Sequence, residues 1–180
     1  MSEISPQANG HINLLFGEID AETSQEVCAW ILNANFSPEP PNQLTLIINS
    51  NGGNLNDGFA IIDIMASSSI PVHTVGLGQI QSAGLMIFLA GAKGKRVVTP
   101  NTSIMSHQYS TEAAGKHNEL ITMQKEFNMT NERMIAHYKK HTGLSEKEII
   151  KHLLPQCDVY LSAEEALKFN ICDKIAFINQ

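Results

Sequence analysis

Between Leu44 and Ala92 the chain carries two formal charges, Asp57 and Asp63. So long a stretch with so little charge cannot face water along its length. It must form the interior of whatever the chain folds into. Its internal pattern sets the fold class. "LTLIINS" (44–50) is a short continuous apolar run, as in a buried parallel strand. "NGGN" (51–54) reads as a turn that needs the backbone freedom of glycine. "LNDGFAIIDIMAS" has helical spacing at Leu55, Phe59, Ile62 and Met65 or Ala66. "PVHTVGLG" reads as the next strand and "SAGLMIFLAGA" as the next helix. Strand followed by helix, twice, predicts an α/β fold with largely parallel pairing.

The flanks continue that alternation. "INLLFGEI" (12–19) reads as a strand, and Thr23 with Glu26 as a capping box opening a helix to about Leu32. "NFSPEPPNQ" (35–43) is a proline-rich loop. "KRVVTPN" and "SIMSHQ" are two short strands, and an amphipathic stretch runs from about Gly115 to Lys140. Ser145 with Glu148 and Ser162 with Glu165 box the starts of two more helices, while "DVYLS" and "KIAFI" read as strands. No repeat or long linker divides the 180 residues, so one domain is expected, with residues 1–11 a short flexible tail.

Composition removes several classes of function. A net charge of −6 argues against a nucleic-acid surface. The longest strongly apolar run, 83–92, is half the ~20 residues of a membrane-spanning helix, so no membrane partner is expected. Cys28, Cys157 and Cys172 match no zinc or redox spacing and read as reduced thiols. The N-terminus shows no signal peptide, which points to the cytoplasm or an equivalent compartment. Charged residues make up 17%, below the ~25% usual for a soluble chain. Extensive subunit contact and an ordinary compact α/β domain explain that equally well.

Inside so apolar a block a polar residue needs a reason, and Ser82 is the case in point. It stands between "GLGQIQ" and an apolar helix. A dinucleotide cradle would need G-x-G-x-x-G; Gly76 and Gly78 fit, but Gln81 occupies the third glycine position and no acid ends the following strand. A serine nucleophile needs a base, an acid to orient it, and donors for the oxyanion. At a helix start the hydroxyl meets the positive helix end and the Ala83 N–H is unused. Gly52-Gly53 would offer a second donor if the two turns lie at one sheet edge. The G-x-S-x-G elbow is absent, Ile80 replacing its first glycine.

"INSNGG" (48–53), "GQIQSAG" (78–84), "AGAKGKR" (90–96), "PNTSIMSHQ" (100–108), "HTG" (141–143) and "DVYLSAEEAL" (158–167) occur in this order and spacing. Together they resemble the ClpP family, the proteolytic subunits of the Clp protease, from about Leu14 to Ile178. The resemblance implies a ClpP/crotonase-like spiral of ββα units with a protruding handle helix in a region of about 108–140. It implies Ser82 as nucleophile, His107 as general base and Asp158 as the orienting acid. Gly53 and Ala83 match the oxyanion donors, Ala83 standing where the family usually has methionine. The glycine turn Asn51, Gly52, Gly53, Asn54 would bind an extended substrate. No metal and no cofactor is implied. Taken singly, Ser82 also fits a helix N-cap, His107 a core or strand-end histidine, and Asp158 a turn residue. His137 and His141, at i and i+4, have metal-pair spacing but no third ligand, and read as a solvated helix face.

The departures bear on partners. The family's subunits form stacked seven-membered rings, a heptamer pair or tetradecamer, and dock an AAA+ unfoldase through a longer leading segment and an aromatic-rich cleft. Here about 11 residues precede the first strand, and the cleft positions are Thr45, Ile47, Ser67 and Val97, none aromatic. Unfoldase docking is therefore expected to be weak. "YSTE" (109–112) replaces a glycine-rich strand, and Cys157 replaces an arginine that often bridges rings. The reading is an ATP-independent serine endopeptidase acting on peptides or unfolded proteins inside an oligomeric ring. The alternatives are a non-catalytic subunit that co-assembles with another ClpP, and a crotonase-type acyl-CoA enzyme, which would have no use for Ser82, His107 and Asp158 together.

Overall fold

A computed structural model describes residues 11–178; the tail expected at 1–11 lies, His11 apart, outside the described residues. The element order is β1 (Ile12–Ile19), α1 (Ala21–Asn35), β2 (Leu44–Gly53), α2 (Leu55–Ser67), β3 (Val72–Gln81), α3 (Ala83–Leu89), β4 (Arg96–Val98), β5 (Ser103–Ser106), α4 (His117–Thr142), α5 (Glu146–His152), β6 (Val159–Leu161), α6 (Ala163–Lys168) and β7 (Lys174–Ile175). The strands form one sheet in the order β1-β2-β3-β4-β7, parallel throughout, with β5 parallel to β3 and β6 antiparallel to β5. This is the mixed α/β architecture expected, with short strand–helix units that keep the chain winding in one direction.

The low-charge block is the core. Leu44, Leu46, Ile48, Ile61, Ile80 and Phe88 have no exposed surface, and every residue of α3 is buried. Burying one such aliphatic side chain contributes roughly 1.5–3 kcal/mol. By contrast α4 is exposed from His117 to Met129 except at Phe127, which is half buried with its ring 6.2 Å from that of Tyr109, and its buried residues begin at Thr130. Among the described residues no helix is long and apolar enough to cross a membrane, and all three cysteines are free thiols.

The site's placement comes from β3. Its first half pairs with β4 (Thr74 opposite Arg96) and its second half with β5 (Gln81 opposite Met105). Between them β3 bulges: Ile48 of β2 faces Gly76, but Ser50 faces Ile80. Two extra residues are absorbed at Leu77–Gln79, where Gly78 has φ +69 and the Asn49 side-chain oxygen takes the Gln79 N–H at 3.2 Å. A bulge of this kind re-aims a strand, here from β4 to β5.

Two local expectations are corrected. The first helix is capped by Asp20, not Thr23: the Asp20 carboxylate accepts the Thr23 N–H at 2.9 Å and Thr23 Oγ1 accepts the Asp20 N–H at 2.9 Å. A carboxylate is the better partner for the positive helix end, and the helix starts earlier and runs to Asn35 rather than Leu32. Residues 51–53 are not a turn but the end of β2, pairing with Glu18 and Ile19 of β1. Their glycines serve close approach rather than reversal.

Arg96 is 3% exposed yet fully engaged. Its guanidinium meets Asp173 at 2.6 and 3.0 Å, its own N–H meets the same carboxylate at 2.9 Å, and Nη1 donates to the His141 carbonyl at 3.1 Å. The pair ties β4 to the approach to β7 and to the end of α4. Burial alone would push the Asp173 carboxyl up, but the hydrogen bonds and charge of Arg96 hold it below its ordinary value. Removing the carboxylate in Asp173→Ala leaves a buried cation unpaired and should cost about 3 kcal/mol at neutral pH. Because the folded-state value is depressed, wild type holds this contribution above the unfolded value of ~3.9 and loses it as pH falls through the lower folded value. Urea denaturation of both proteins should show the gap at pH 7 and its narrowing below about pH 4.

Candidate active site

Ser82 sits on the junction between β3 and α3 with φ 51 and ψ −122, one of two non-glycine residues with positive φ among those described. Such a backbone costs roughly 1–3 kcal/mol and persists only where the surroundings enforce it. They do so here. The Ser82 N–H is fixed on the Met105 carbonyl at 3.0 Å, and its own carbonyl accepts from Leu85 and Met86 at 3.0 and 3.2 Å. Ser82 holds the N-cap position, but its side chain makes no cap bond, so the hydroxyl is not spent on the helix. Instead Oγ lies 2.7 Å from Nε2 of His107.

The sheet explains that contact. Ser82 follows β3 and His107 follows β5, and the bulge has made these strands neighbours. Asp158 precedes β6, whose antiparallel register sets Val159 opposite Ser106. Asp158 therefore arrives beside His107, with Oδ1 3.7 Å from Nδ1. That is too long for a hydrogen bond but within reach of an ion pair. The Asp158 side chain is 56% exposed against 23% for His107. The serine–histidine half of the constellation is closed; the histidine–acid half is open by about 1 Å relative to a charge-assisted N–H···O bond.

On the opposite side of Ser82 lies the end of β2. A Cβ on Gly52, whose φ is +96, would stand 2.6 Å from the Ser82 Cβ and 2.9 Å from the Gln81 carbonyl oxygen. Only glycine lets these two segments meet. The Gly52 N–H is spent on Ser50 Oγ at 3.0 Å, so Gly53 is the strand-end residue left to offer a donor. Gly53 (φ +148) packs on the backbone of Ile19 and lines the same cavity as Ser82. Ala83 is the first residue of α3, whose N–H has no intrahelical acceptor. Asn51 is exposed, and the Asn54 side-chain oxygen caps α2 through the N–H groups of Asn56 and Asp57 at 2.9 and 3.2 Å. Gly53, Asn54, Ser82, Ala83 and His107 line a cavity of about 220 Å³, with Leu55, Met86, Met134 and Tyr138 among its other walls. The sequence reading assigned none of these four to the site; for Met134 and Tyr138 a signal was available. The spacing of Thr130, Met134, Tyr138 and His141 held the signal, as one inward stripe of α4.

The family model described as Clp protease matches residues 7–179. The ATP-dependent Clp protease proteolytic subunit of Deinococcus radiodurans is 31% identical over 157 residues, 87% of this chain and 76% of that protein. The ATP-dependent Clp protease proteolytic subunit 2 of Rhodococcus jostii is 32% identical over 158 residues, 88% and 80% respectively.

His137 and His141 overturn the expectation of a solvated face. His137 is 8% exposed, and its Nε2 donates to the Met86 carbonyl at 2.8 Å; its ring lies 4.4 Å from that of His141. Polarity misled the reading because this stripe of α4 turns onto α3. Among the described residues no cluster of three His, Cys, Asp or Glu side chains surrounds them. Burial pushes His137 down to about 4; burial, then the neighbouring His137, push His141 down to about 3. Both are neutral at pH 7. The unfolded chain, with its histidines near 6.5, takes up these protons first, so stability is complete above about pH 6.5 and falls as pH drops toward 4. His137→Gln, which keeps a donor for Met86 but cannot titrate, should lose less of its urea midpoint between pH 7.5 and 5 than wild type. An equal loss in both would show that His137 does not drive the acid limb.

Proposed function

The chain belongs to the Clp protease family, and on that premise we propose that it is a serine endopeptidase subunit with Ser82 as nucleophile, His107 as general base and Asp158 as the orienting acid. The observation that carries this reading is the 2.7 Å contact between Ser82 Oγ and His107 Nε2 on a strained junction at a helix start. As a peptide carbonyl approaches, Nε2 takes the hydroxyl proton and Oγ forms the new bond to carbon. The oxyanion is met by the N–H groups of Ala83 and Gly53, aided by the positive end of α3. The proton on Nε2 passes to the leaving amine; water, activated by the same histidine, then releases the acyl group. Asp158 stabilises the imidazolium once the Nδ1 gap has closed. A substrate lying extended beside 51–54 would place one side chain in the cavity. Neither metal nor nucleotide takes part in these steps.

Residues 1–180 act as one domain within a ring of seven, with α4 as the handle toward a second ring. Short peptides and unfolded chains are the substrates such an enclosure admits. A second reading is favoured by one observation, the 3.7 Å separation and exposure of Asp158: a ring subunit whose acid aligns only on co-assembly with another ClpP. The cleft positions Thr45, Ile47 and Val97 are half buried and Ser67 is exposed, without an aromatic among them. We propose that they hold an AAA+ unfoldase weakly. A pull-down with such an ATPase should recover little of this protein with or without nucleotide; a tight nucleotide-dependent complex would contradict that.

A fluorophosphonate probe should label wild type at Ser82 and leave Ser82→Ala unlabelled, with native mass showing the assembly that carries the label. Peptide hydrolysis should fall at least about 10³-fold in Ser82→Ala. Absence of label on a well-folded wild-type ring would sink the catalytic reading and leave the co-assembling subunit.

A further inference from the structure

His107 stands at the end of β5, and residues 107–116 belong to no helix or strand. The backbone that carries the imidazole is therefore not held by a ladder on its C-terminal side. Its two neighbours hold it instead. Ser106 Oγ donates to the Leu153 carbonyl at 2.6 Å, and Gln108 Nε2 donates to the Leu154 carbonyl at 2.9 Å. Leu153 and Leu154 directly follow helix α5, their N–H groups both bound to the Ile149 carbonyl at 2.8 Å, and both are buried, so this turn is a fixed anchor.

A third bond completes the arrangement. Ser106 Oγ also lies 2.7 Å from the Tyr138 hydroxyl. A serine hydroxyl has one proton, and that of Ser106 is spent on Leu153, so Tyr138 must be the donor. Burial pushes the Tyr138 hydroxyl up to about 12, and it stays a donor at every working pH. The result is a relay from Tyr138 O–H through Ser106 O–H to the Leu153 carbonyl. All three residues are essentially inaccessible to water. Successive hydrogen bonds of this kind reinforce one another in a low-dielectric interior. Tyr138 lies on the buried part of α4, whose other half is exposed except at Phe127.

We infer that Ser106, oriented by the Tyr138 hydroxyl, is a positioning residue for His107 and conveys the placement of helix α4 to the general base. A shift of α4 carries Tyr138 with it, alters the seat of Ser106, and turns the next residue along the chain. A displacement near 1 Å at such a base is worth about 10²-fold in rate. This inference rests on His107 acting as base for Ser82, and it adds a control point to that reading: the long helix and the imidazole are joined by hydroxyls rather than by packing alone.

The test compares wild type, Ser106→Ala, Tyr138→Phe and the double variant, with Ser82→Ala as blank. The readouts are the rate of fluorophosphonate labelling and the kcat and KM of peptide hydrolysis per labelled site. Each single variant should slow labelling and lower kcat about tenfold. The double variant should be no worse than either single one, because both cut the same relay. Ser106 does not line the cavity, so Ser106→Ala should leave KM unchanged. Tyr138→Phe keeps the buried ring and carries the test if Ser106→Ala fails to fold. Labelling and kcat within twofold of wild type in the folded variants, even with a lowered melting temperature, would overturn the inference and leave the hydroxyls a purely structural role. A wild type that does not label would overturn the nucleophile reading and this inference with it; a labelling wild type with unchanged variants would overturn this inference alone.

Discussion

Strand β3 hydrogen-bonds to β2 along one side and to two different strands in succession along the other. A single straight strand cannot do that. It needs extra length and a change of direction between its halves, which Gly78 supplies through its backbone and Asn49 secures through its side-chain amide. The rest of the site depends on this bend. Without it β3 would end beside β4, and Ser82 would have no imidazole within reach. With it, β3 and β5 deliver their last residues to the same point, and the register of β6 brings the carboxylate to that point from the other side.

Polar groups buried around this frame are few and fully engaged. Arg96 and Asp173 close the far end of the sheet, His137 satisfies a carbonyl in the last turn of α3, and Thr74 Oγ1 donates to the Phe88 carbonyl at 2.9 Å. Each joins α3 or its surroundings to a distant element. Helix α3, the most deeply buried segment, is thus held by directed bonds as well as by apolar contact, so its N-terminus and the serine beside it keep a fixed orientation.

What was legible in the sequence follows from how locally each feature is determined. The core between Leu44 and Ala92 could be read because exclusion of charge is visible residue by residue. The boxes at Ser145 and Ser162 could be read because the bonds span three residues, and both are present as expected. The first helix was misplaced because Asp20 and Thr23 are both competent caps, and only the chain entering from β1 decides between them. The segment 51–53 looked like a turn because glycine serves two ends. Its use here is to admit Ser82, a neighbour thirty residues away in sequence. His137 looked exposed because a polar residue on an amphipathic helix usually is, and its carbonyl partner is 51 residues distant. Arg96 and Asp173, 77 residues apart, left no local trace. The residues proposed for catalysis were found through six motifs in register, whereas the unequal spacings of 2.7 and 3.7 Å around His107 belong to the three-dimensional arrangement alone.

The strained backbone at Ser82 bears on how this position can change over time. The conformation at φ 51 and ψ −122 is one that glycine adopts freely and serine does not. Stability alone would therefore favour glycine there. A serine at this junction is kept against the preference of the fold that surrounds it. In a lineage where the hydroxyl ceased to matter, position 82 would be among the first to drift, and the drift would make the protein more stable as it became inert.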